Sequence, residues 1–238
     1  MNARNALRAA SPPVPDPRKG RGAVSNADGR YERFTHIRED DGWSPGEAGE
    51  AEPKLRTTVL YDASRSIIAR NQSPDLTFDR SINPYRGCEH GCVYCFARPT
   101  HAWLGFSPGL DFETRILVKP RAAELLEAEL SAPGYTPRTL ALGTNTDPYQ
   151  PLERRHQLTR QVLEVLARTN HPVAIVTKSH LVTRDIDILA PMAAKGLAKV
   201  AVSVTTLDPG LARTMEPRAS SPATALLELI GSPATACD

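Results

Sequence analysis

Three cysteines that lie within eight residues are the strongest chemical feature of this 238-residue chain. Cys88, Cys92 and Cys95 have the spacing C-x3-C-x2-C, and Gly87 and Gly91 lie in the same segment. The two glycines give the backbone enough freedom to turn all three thiols toward one centre. Because thiolates bind zinc or iron–sulfur clusters, the spacing predicts a metal centre held by these cysteines.

The number of available ligands separates the two kinds of metal centre. A structural zinc site takes four protein ligands, and His90, the further candidate inside the loop, does not lie at a usual zinc spacing. A 4Fe–4S cluster bound by three thiolates leaves one iron without a protein ligand. That open position suits a catalytic site, so the sequence favours a cluster. A zinc site and three core cysteines without metal are the alternatives.

The composition is that of a globular protein without a membrane span. Hydrophobic residues make up 40% and charged residues 24% of the chain, and the formal net charge is +2. This charge is too small to indicate nucleic-acid binding by itself. No apolar run reaches the length of about 18 residues that a transmembrane helix needs, and no secretory signal pattern is present. We therefore expect a cytoplasmic protein that does not enter a membrane.

The sequence divides into two parts. Residues 1–56 are rich in proline, glycine and charge and lack apolar periodicity, which predicts a disordered, flexible N-terminal arm. Residues 57–238 alternate apolar runs with amphipathic segments, as in an α/β fold with a parallel sheet. The predicted strands are 58–61, 66–68, 81–85, 139–143, 172–177 and 199–205. One predicted helix begins at Pro120. Three further helices are predicted over 158–166, 186–192 and 223–230.

Polar residues follow three of the predicted strands at the point where each strand ends. They are Thr144–Asp147, Lys178–Ser179 and Ser203–Thr206. In parallel barrels and open α/β sheets, the carboxyl ends of the strands carry the functional site. We therefore expect the cysteine loop and these polar side chains to meet at one mouth of the sheet.

The cysteine segment, with Tyr94 directly before the last cysteine, resembles the signature of radical S-adenosylmethionine (radical SAM) enzymes. The similarity continues in four later segments that look like motifs of the spore-photolyase-like branch: Gly143–Pro151, Val176–Ser179, Val202–Val204 and Met215–Arg218. The resemblance implies a partial (β/α) TIM-like barrel and a lyase-like radical enzyme.

The resemblance also implies cofactors and roles for particular residues. Cys88, Cys92 and Cys95 would bind three irons of a 4Fe–4S cluster, and S-adenosylmethionine would chelate the fourth. Reduction by a donor such as flavodoxin or ferredoxin would cleave S-adenosylmethionine to a 5′-deoxyadenosyl radical. By the same match, the cofactor would be lined by Tyr94, Thr146, Lys178 and Ser203.

Two departures from the branch affect the expected substrate and extent of the fold. Thr144 stands about where spore photolyases have a hydrogen-donating cysteine, which weakens an assignment to thymine-dimer repair. The partial barrel of the family has about six βα units, whereas the sequence predicts fewer parallel strands. We therefore expect a chain that lacks the last strands of the barrel.

Two alternatives to a radical enzyme of unknown substrate remain open. The first is a DNA lesion repair lyase, for which a basic group after the second parallel strand is the candidate DNA contact: Arg154, Arg155, His156 and Arg160. Such an enzyme must take the damaged bases out of the stack. The second is a non-catalytic metal-binding module or an inactive fragment.

Overall fold

The computed structural model of the chain describes residues 18–31 and 55–225. These ranges contain eight strands: β1 Thr58–Tyr61, β2 Ile68–Arg70, β3 Arg80–Ile82, β4 Tyr85–Arg86, β5 Arg115–Val118, β6 Leu140–Leu142, β7 Val173–Thr177 and β8 Ala198–Val202. Six α-helices lie wholly within them: α1 Leu110–Thr114, α2 Ala122–Leu130, α3 Glu153–His156, α4 Leu158–Arg168, α5 Ile186–Ala194 and α6 Pro209–Met215. Two 3-10 helices span Arg98–Leu104 and His180–Asp185.

The larger sheet has five strands in the order β2-β3-β6-β7-β8. Strands β3, β6, β7 and β8 run parallel to their neighbours, while β2 pairs antiparallel to β3 at the edge. Helices connect the parallel strands, so their carboxyl ends all meet at one side of the sheet. The predicted α/β fold with a parallel sheet is confirmed.

A smaller sheet with the order β1-β5-β4 positions the cysteine loop. Strand β1 pairs parallel to β5, and the short strand β4 pairs antiparallel to β5 with Tyr85 opposite Val118. Because β4 ends two residues before Cys88, the register of this sheet fixes where the loop begins. Strand β5 and helix α1 were not predicted from the sequence.

The main core lies between the larger sheet and helices α2, α4 and α5. All three side chains of β6 are buried, and α4 buries the face that its apolar spacing predicted. The fully buried members of this core are Ile82, Ala122, Leu126, Leu140, Leu142, Tyr149, Val162, Leu163 and Leu166. This packing gives the strand ends a rigid base. No helix in residues 18–31 and 55–225 is long and apolar enough to cross a membrane.

Two sequence predictions fall partly outside the described residues. Of the last predicted helix, residues 222–225 are helical and the remainder lies outside the described part of the chain. Of the predicted N-terminal arm, residues 18–31 lie against the cysteine loop, as their contacts with Glu113 and Gly91 show. Residues 55–56 of that arm are also described, the remainder lies outside the described residues, and the boundary at residue 57 stays a prediction.

Candidate metal centre and cofactor site

The loop after β4 holds the three thiols in one partly buried region. Cys88, Cys92 and Cys95 are free cysteines; Cys88 is buried and the other two are half-buried. Burial, together with the charge of the neighbouring Cys88, raises the pKa of Cys92 to about 12. Burial and Cys88 also raise the pKa of Cys95. The Cys95 amide donates to the Cys92 carbonyl at 3.3 Å, and Cys88 and Cys95 pack in one apolar cluster with Ala97 and Phe112. The loop therefore brings the three cysteines together, and a bound cationic centre would favour their thiolate forms.

The number and kind of donors bear on the choice between a cluster and zinc. Among the residues that the structure describes, no group of three or more His, Cys, Asp or Glu side chains is arranged around a single metal ion. A structural zinc site takes four protein ligands, whereas three thiolates can each bind one iron of a 4Fe–4S cluster and leave the fourth iron open. Three free thiols in one loop therefore suit a cluster by the chemistry of the donor set.

Local backbone conformation explains why the loop contains two glycines. Gly87 and Gly91 have φ angles of 83° and 69°, a region that favours glycine. A Cβ atom on Gly87 would also lie 2.8 Å from the Ile116 side chain and from the Phe112 carbonyl oxygen. The Cys88 amide donates to that same carbonyl at 2.9 Å. The close approach to α1 therefore fixes the first cysteine.

Gln150, from the segment after β6, ties the peptide groups on both sides of Cys88. Its Nε2 donates to the Gly87 carbonyl at 3.2 Å, and its Oε1 accepts from the Glu89 amide at 3.0 Å. Gln150 is fully buried, so water cannot replace these bonds without rearrangement. The Gly143–Pro151 segment thus supports the cysteine loop directly.

Replacing Gln150 with alanine is expected to destabilise the metal-free protein. Each buried group left without a partner costs about 1–3 kcal/mol. Urea unfolding would measure this loss, with Gln161→Ala, an exposed glutamine on α4, as the matched control. Equal unfolding midpoints for the two variants would contradict this role of Gln150.

A polar group at the carboxyl ends of β7 and β8 forms the second half of the site. The Lys178 ammonium donates to Ser203 Oγ at 2.8 Å and to Thr205 Oγ1 at 3.2 Å, and pairs with Glu216 Oε1 at 2.9 Å. The Tyr94 hydroxyl donates to the same Glu216 oxygen, and its ring lies 5.7 Å from the Lys178 nitrogen. We call these five residues the mouth cluster.

The mouth cluster lies next to the second cysteine. The charge of Glu216 contributes to the raised pKa of Cys92, and the charge of Lys178 opposes it. The backbone of the loop also contacts the Glu216 segment, since the Val93 amide donates to the Met215 carbonyl at 3.0 Å. Of the predicted cofactor residues, the structure therefore brings Tyr94, Lys178 and Ser203 together beside the thiols. Their contact with S-adenosylmethionine stays a prediction.

Thr146, the fourth predicted cofactor residue, is placed differently. Its side chain is 2% exposed, and its hydroxyl donates to the Tyr85 carbonyl at 2.9 Å. This bond commits the hydroxyl to β4, so in the structure Thr146 supports the start of the cysteine loop and lies outside the mouth cluster. The neighbouring Asp147 makes the connection to the mouth, because it accepts from the Lys178 amide at 2.8 Å.

Asp147 also pairs with a histidine inside the cysteine loop. Its Oδ2 lies 3.3 Å from His90 Nδ1, and both side chains are largely buried. Burial alone would favour the neutral ring, but Asp147 and Cys88 raise the pKa of His90 to about 10. Burial likewise opposes the charge of Asp147, yet His90 lowers the pKa of that carboxyl. This ion pair fastens the loop to the segment after β6, and the bonds from Thr177 Oγ1 and the Lys178 amide to Asp147 extend the connection to the end of β7.

Sequence reasoning gave Glu216 no role in the site, and it included Thr205 only within the polar group Ser203–Thr206 expected at the mouth. Glu216 lies in the quoted Met215–Arg218 segment, so a signal existed, but nothing in the sequence connected it with Lys178. Thr205 was placed inside the last predicted strand, which ends at Val202 in the structure. The earlier end turns residues 203–206 into a loop whose side chains reach the mouth.

The predicted DNA-contact group, residues 154–156 and Arg160, contains an arginine that pairs with acidic side chains. Arg154 and Arg155 are exposed, but Arg160 pairs with Asp185 at 2.9 Å and with Asp187 at 2.8 Å. Its charge is thereby balanced by acidic neighbours. The structural basis for DNA binding at this helix is correspondingly weaker.

Comparisons with known proteins show the family to which the chain is similar. The family model described as the radical SAM superfamily matches residues 82–227. An uncharacterised protein of Mycobacterium tuberculosis is 44% identical over 157 residues, which cover 65% of this chain and 46% of that protein. An uncharacterised protein of Methanocaldococcus jannaschii is 26% identical over 136 residues, covering 57% of this chain and 48% of that protein. The chain thus spans about half the length of these curated relatives.

Two solved structures share the fold. A tyrosine-to-phenylalanine variant of spore photoproduct lyase superposes with a TM-score of 0.51 at 17% identity, covering 81% of this chain and 54% of that chain. A cysteine-to-alanine variant of the same enzyme gives a TM-score of 0.50 at 16% identity, with the same coverage. At this identity the likeness shows the fold, and it agrees with the partial barrel expected from the sequence.

Proposed function

The chain belongs to the radical SAM superfamily, and from this we propose that it binds a 4Fe–4S cluster through Cys88, Cys92 and Cys95 and uses it to cleave S-adenosylmethionine. The observation that carries this proposal is that the cysteine loop contacts the mouth cluster at one edge of the parallel sheet, through the Val93–Met215 backbone bond and the bond from Tyr94 to Glu216. When bound, the cluster would supply the electron that breaks a C–S bond of S-adenosylmethionine and yields a 5′-deoxyadenosyl radical.

The mouth cluster has the chemistry that the proposed ligand requires. S-adenosylmethionine carries a carboxylate, an ammonium, a sulfonium and ribose hydroxyls. Lys178 offers a cation to the carboxylate, and Glu216 offers an acceptor to the ammonium or to the hydroxyls. Ser203 and Thr205 can exchange their bonds with Lys178 for bonds to the ligand. The mouth cluster therefore contains one group of each charge, Lys178 and Glu216, that can bind a zwitterionic ligand. In the structure without the ligand, these two groups pair with each other.

A low-potential electron donor such as flavodoxin or ferredoxin is the proposed physiological reductant. Dithionite replaces it in the direct test. After anaerobic purification and reconstitution with iron and sulfide, the protein is expected to form 5′-deoxyadenosine when S-adenosylmethionine and dithionite are added. Omission of dithionite is the matched control, because cleavage requires the electron.

Each outcome of this assay distinguishes the proposed enzyme from its alternatives. Formation of 5′-deoxyadenosine supports the radical enzyme and opens the search for its substrate. A loaded cluster without cleavage would identify a non-catalytic binding module. Uptake of zinc without iron and sulfide would contradict the proposal altogether.

A further inference from the structure

The described N-terminal segment, residues 18–31, passes over the cysteine loop and is anchored to a buried carboxylate. We call this segment the strap. Glu113, the fourth residue of α1, accepts from the Gly22 amide at 3.0 Å and from the Ala23 amide at 2.8 Å. It also accepts from Arg98 Nη2 at 2.6 Å. Glu113 is fully buried, so these three donors replace the hydrogen bonds that water would make to its carboxylate, and the Arg98 guanidinium balances its charge.

Arg98 connects Glu113 to the backbone of Cys92, a predicted metal ligand. Its Nε and Nη2 donate to the Cys92 carbonyl at 3.2 and 2.9 Å, and its Nη1 donates to the Gly109 carbonyl at 3.2 Å. The planar guanidinium holds these partners in a fixed geometry. The Cys92 peptide is therefore linked to the strap through two buried or half-buried side chains, Arg98 and Glu113.

Close packing of two glycines shows that the strap lies directly on the loop. A Cβ atom on Gly22 would overlap the Gly91 carbonyl oxygen. A Cβ atom on Gly91 would lie 2.9 Å from Glu113 Oε2 and 3.2 Å from the Gly22 amide nitrogen. Neither position can carry a side chain while the strap is in place. This contact covers the peptide directly before Cys92.

Further bonds hold the strap along its length. Arg21 Nη1 donates to the Glu113 carbonyl at 2.7 Å, and the Leu110 amide donates to the Ser25 carbonyl at 3.1 Å. Asn26 and Asp111 form a reciprocal pair: the Asn26 amide group donates at 3.0 Å and accepts at 2.9 Å. The residues that bind the strap here, Leu110, Asp111 and Glu113, all belong to α1. The strap and α1 therefore enclose one side of the cysteine loop.

We propose that the strap, with Glu113 and Arg98, is a positioning element of the cluster site that holds the Cys92 peptide and slows loss of the cluster. This inference rests on the proposed function, because it presupposes a bound cluster. Groups that orient metal ligands from behind typically change metal affinity about 10- to 100-fold when they are mutated. Glu113, Arg98 and Gly22 orient Cys92 through its backbone, so we expect an effect of this size on retention.

Glu113→Gln and Gly22→Ala test the two sides of the contact. A glutamine at position 113 has one acceptor oxygen in place of two, so its amide group would face a donor of the strap or of Arg98. An alanine at position 22 displaces the strap but leaves the Arg98–Glu113 pair intact. The matched controls are Glu124→Gln, an exposed glutamate on α2, and Ser25→Ala, which keeps the backbone carbonyl that binds Leu110.

The measurements are the rate at which a chelator removes iron from the loaded protein without oxygen and the EPR spectrum of the reduced cluster. Both variants are expected to release iron about 10- to 100-fold faster than wild type, with shifted g values, while both controls behave as wild type. Melting curves of the metal-free proteins show whether each variant folds. The Gly22→Ala variant leaves Glu113 and Arg98 unchanged, so it keeps the test valid if Glu113→Gln fails to fold.

The outcomes separate this inference from the proposed function. Wild-type protein that takes up no iron and sulfide overturns the proposed function, and the inference with it. Wild-type protein that loads normally, while the folded strap variants release iron at the wild-type rate with an unchanged spectrum, overturns the positioning role alone.

Discussion

Replacement of Cys92 by alanine is expected to abolish both cluster loading and 5′-deoxyadenosine formation. Two thiolates cannot hold the three irons that a radical SAM site binds through the protein, and Cys92 is the cysteine of the loop that lies beside the mouth cluster. Because the cluster would supply the reducing electron, and enzymes accelerate their reactions by about 10⁶-fold or more, activity should fall below detection. Iron and sulfide analysis and product detection by mass spectrometry measure the two effects.

The fourth cysteine of the chain provides the matched control for this experiment. Cys237 lies outside the C-x3-C-x2-C spacing, so Cys237→Ala should load and react as wild type. A Cys92→Ala protein with full iron content, or with wild-type cleavage, would show that the cluster is held elsewhere.

Replacement of Lys178 by alanine is expected to weaken binding of S-adenosylmethionine without removing the cluster. The ammonium makes three polar contacts in the mouth cluster, and a hydrogen bond to a charged group is worth about 1.5–3 kcal/mol. That range corresponds to a dissociation constant raised about 10- to 150-fold. Titration of the loaded protein with S-adenosylmethionine measures it directly, and iron content verifies that loading is unaffected.

A second lysine provides the control for the Lys178 experiment. Lys195 is exposed directly after α5, where it donates to Asn170 Oδ1 at 2.9 Å. Both residues precede parallel strands, β8 and β7, and so lie at the end of the sheet opposite the mouth. Lys195→Ala should bind S-adenosylmethionine as wild type. An unchanged dissociation constant for Lys178→Ala would remove the mouth cluster from the proposed binding site.

The parallel sheet could be predicted because its strands are short apolar runs that end in polar residues. Strands β6, β7 and β8 lie inside their predicted ranges or within one residue of them. Strand β5 was missed because Arg115–Val118 follows α1 without a turn residue, so no local signal divides the two elements. Its strand character comes from pairing with β1 and β4, which are distant in sequence.

The site could be predicted only where the chemistry is local or lies at a strand end. Lys178 and Ser203 lie at the expected mouth because the ends of parallel strands converge, and Tyr94 reaches it from the cysteine loop. Thr146 lies outside the mouth because its hydroxyl donates to a backbone carbonyl of β4. Glu113 gave no signal, since its partners Gly22 and Ala23 are separated from it by 91 and 90 residues. Backbone donors leave no compositional pattern, so the strap was assigned to a disordered arm.

The most direct test of the central claim is the EPR spectrum of the reduced, reconstituted protein with and without S-adenosylmethionine. An iron that no protein group ligates is open to the cofactor, so its binding should change the electronic structure of the cluster. We predict a 4Fe–4S signal whose g values shift on addition of S-adenosylmethionine and are unaffected by adenosine alone. A fully loaded cluster whose spectrum stays the same at saturating S-adenosylmethionine would contradict the proposed open iron at Cys88, Cys92 and Cys95.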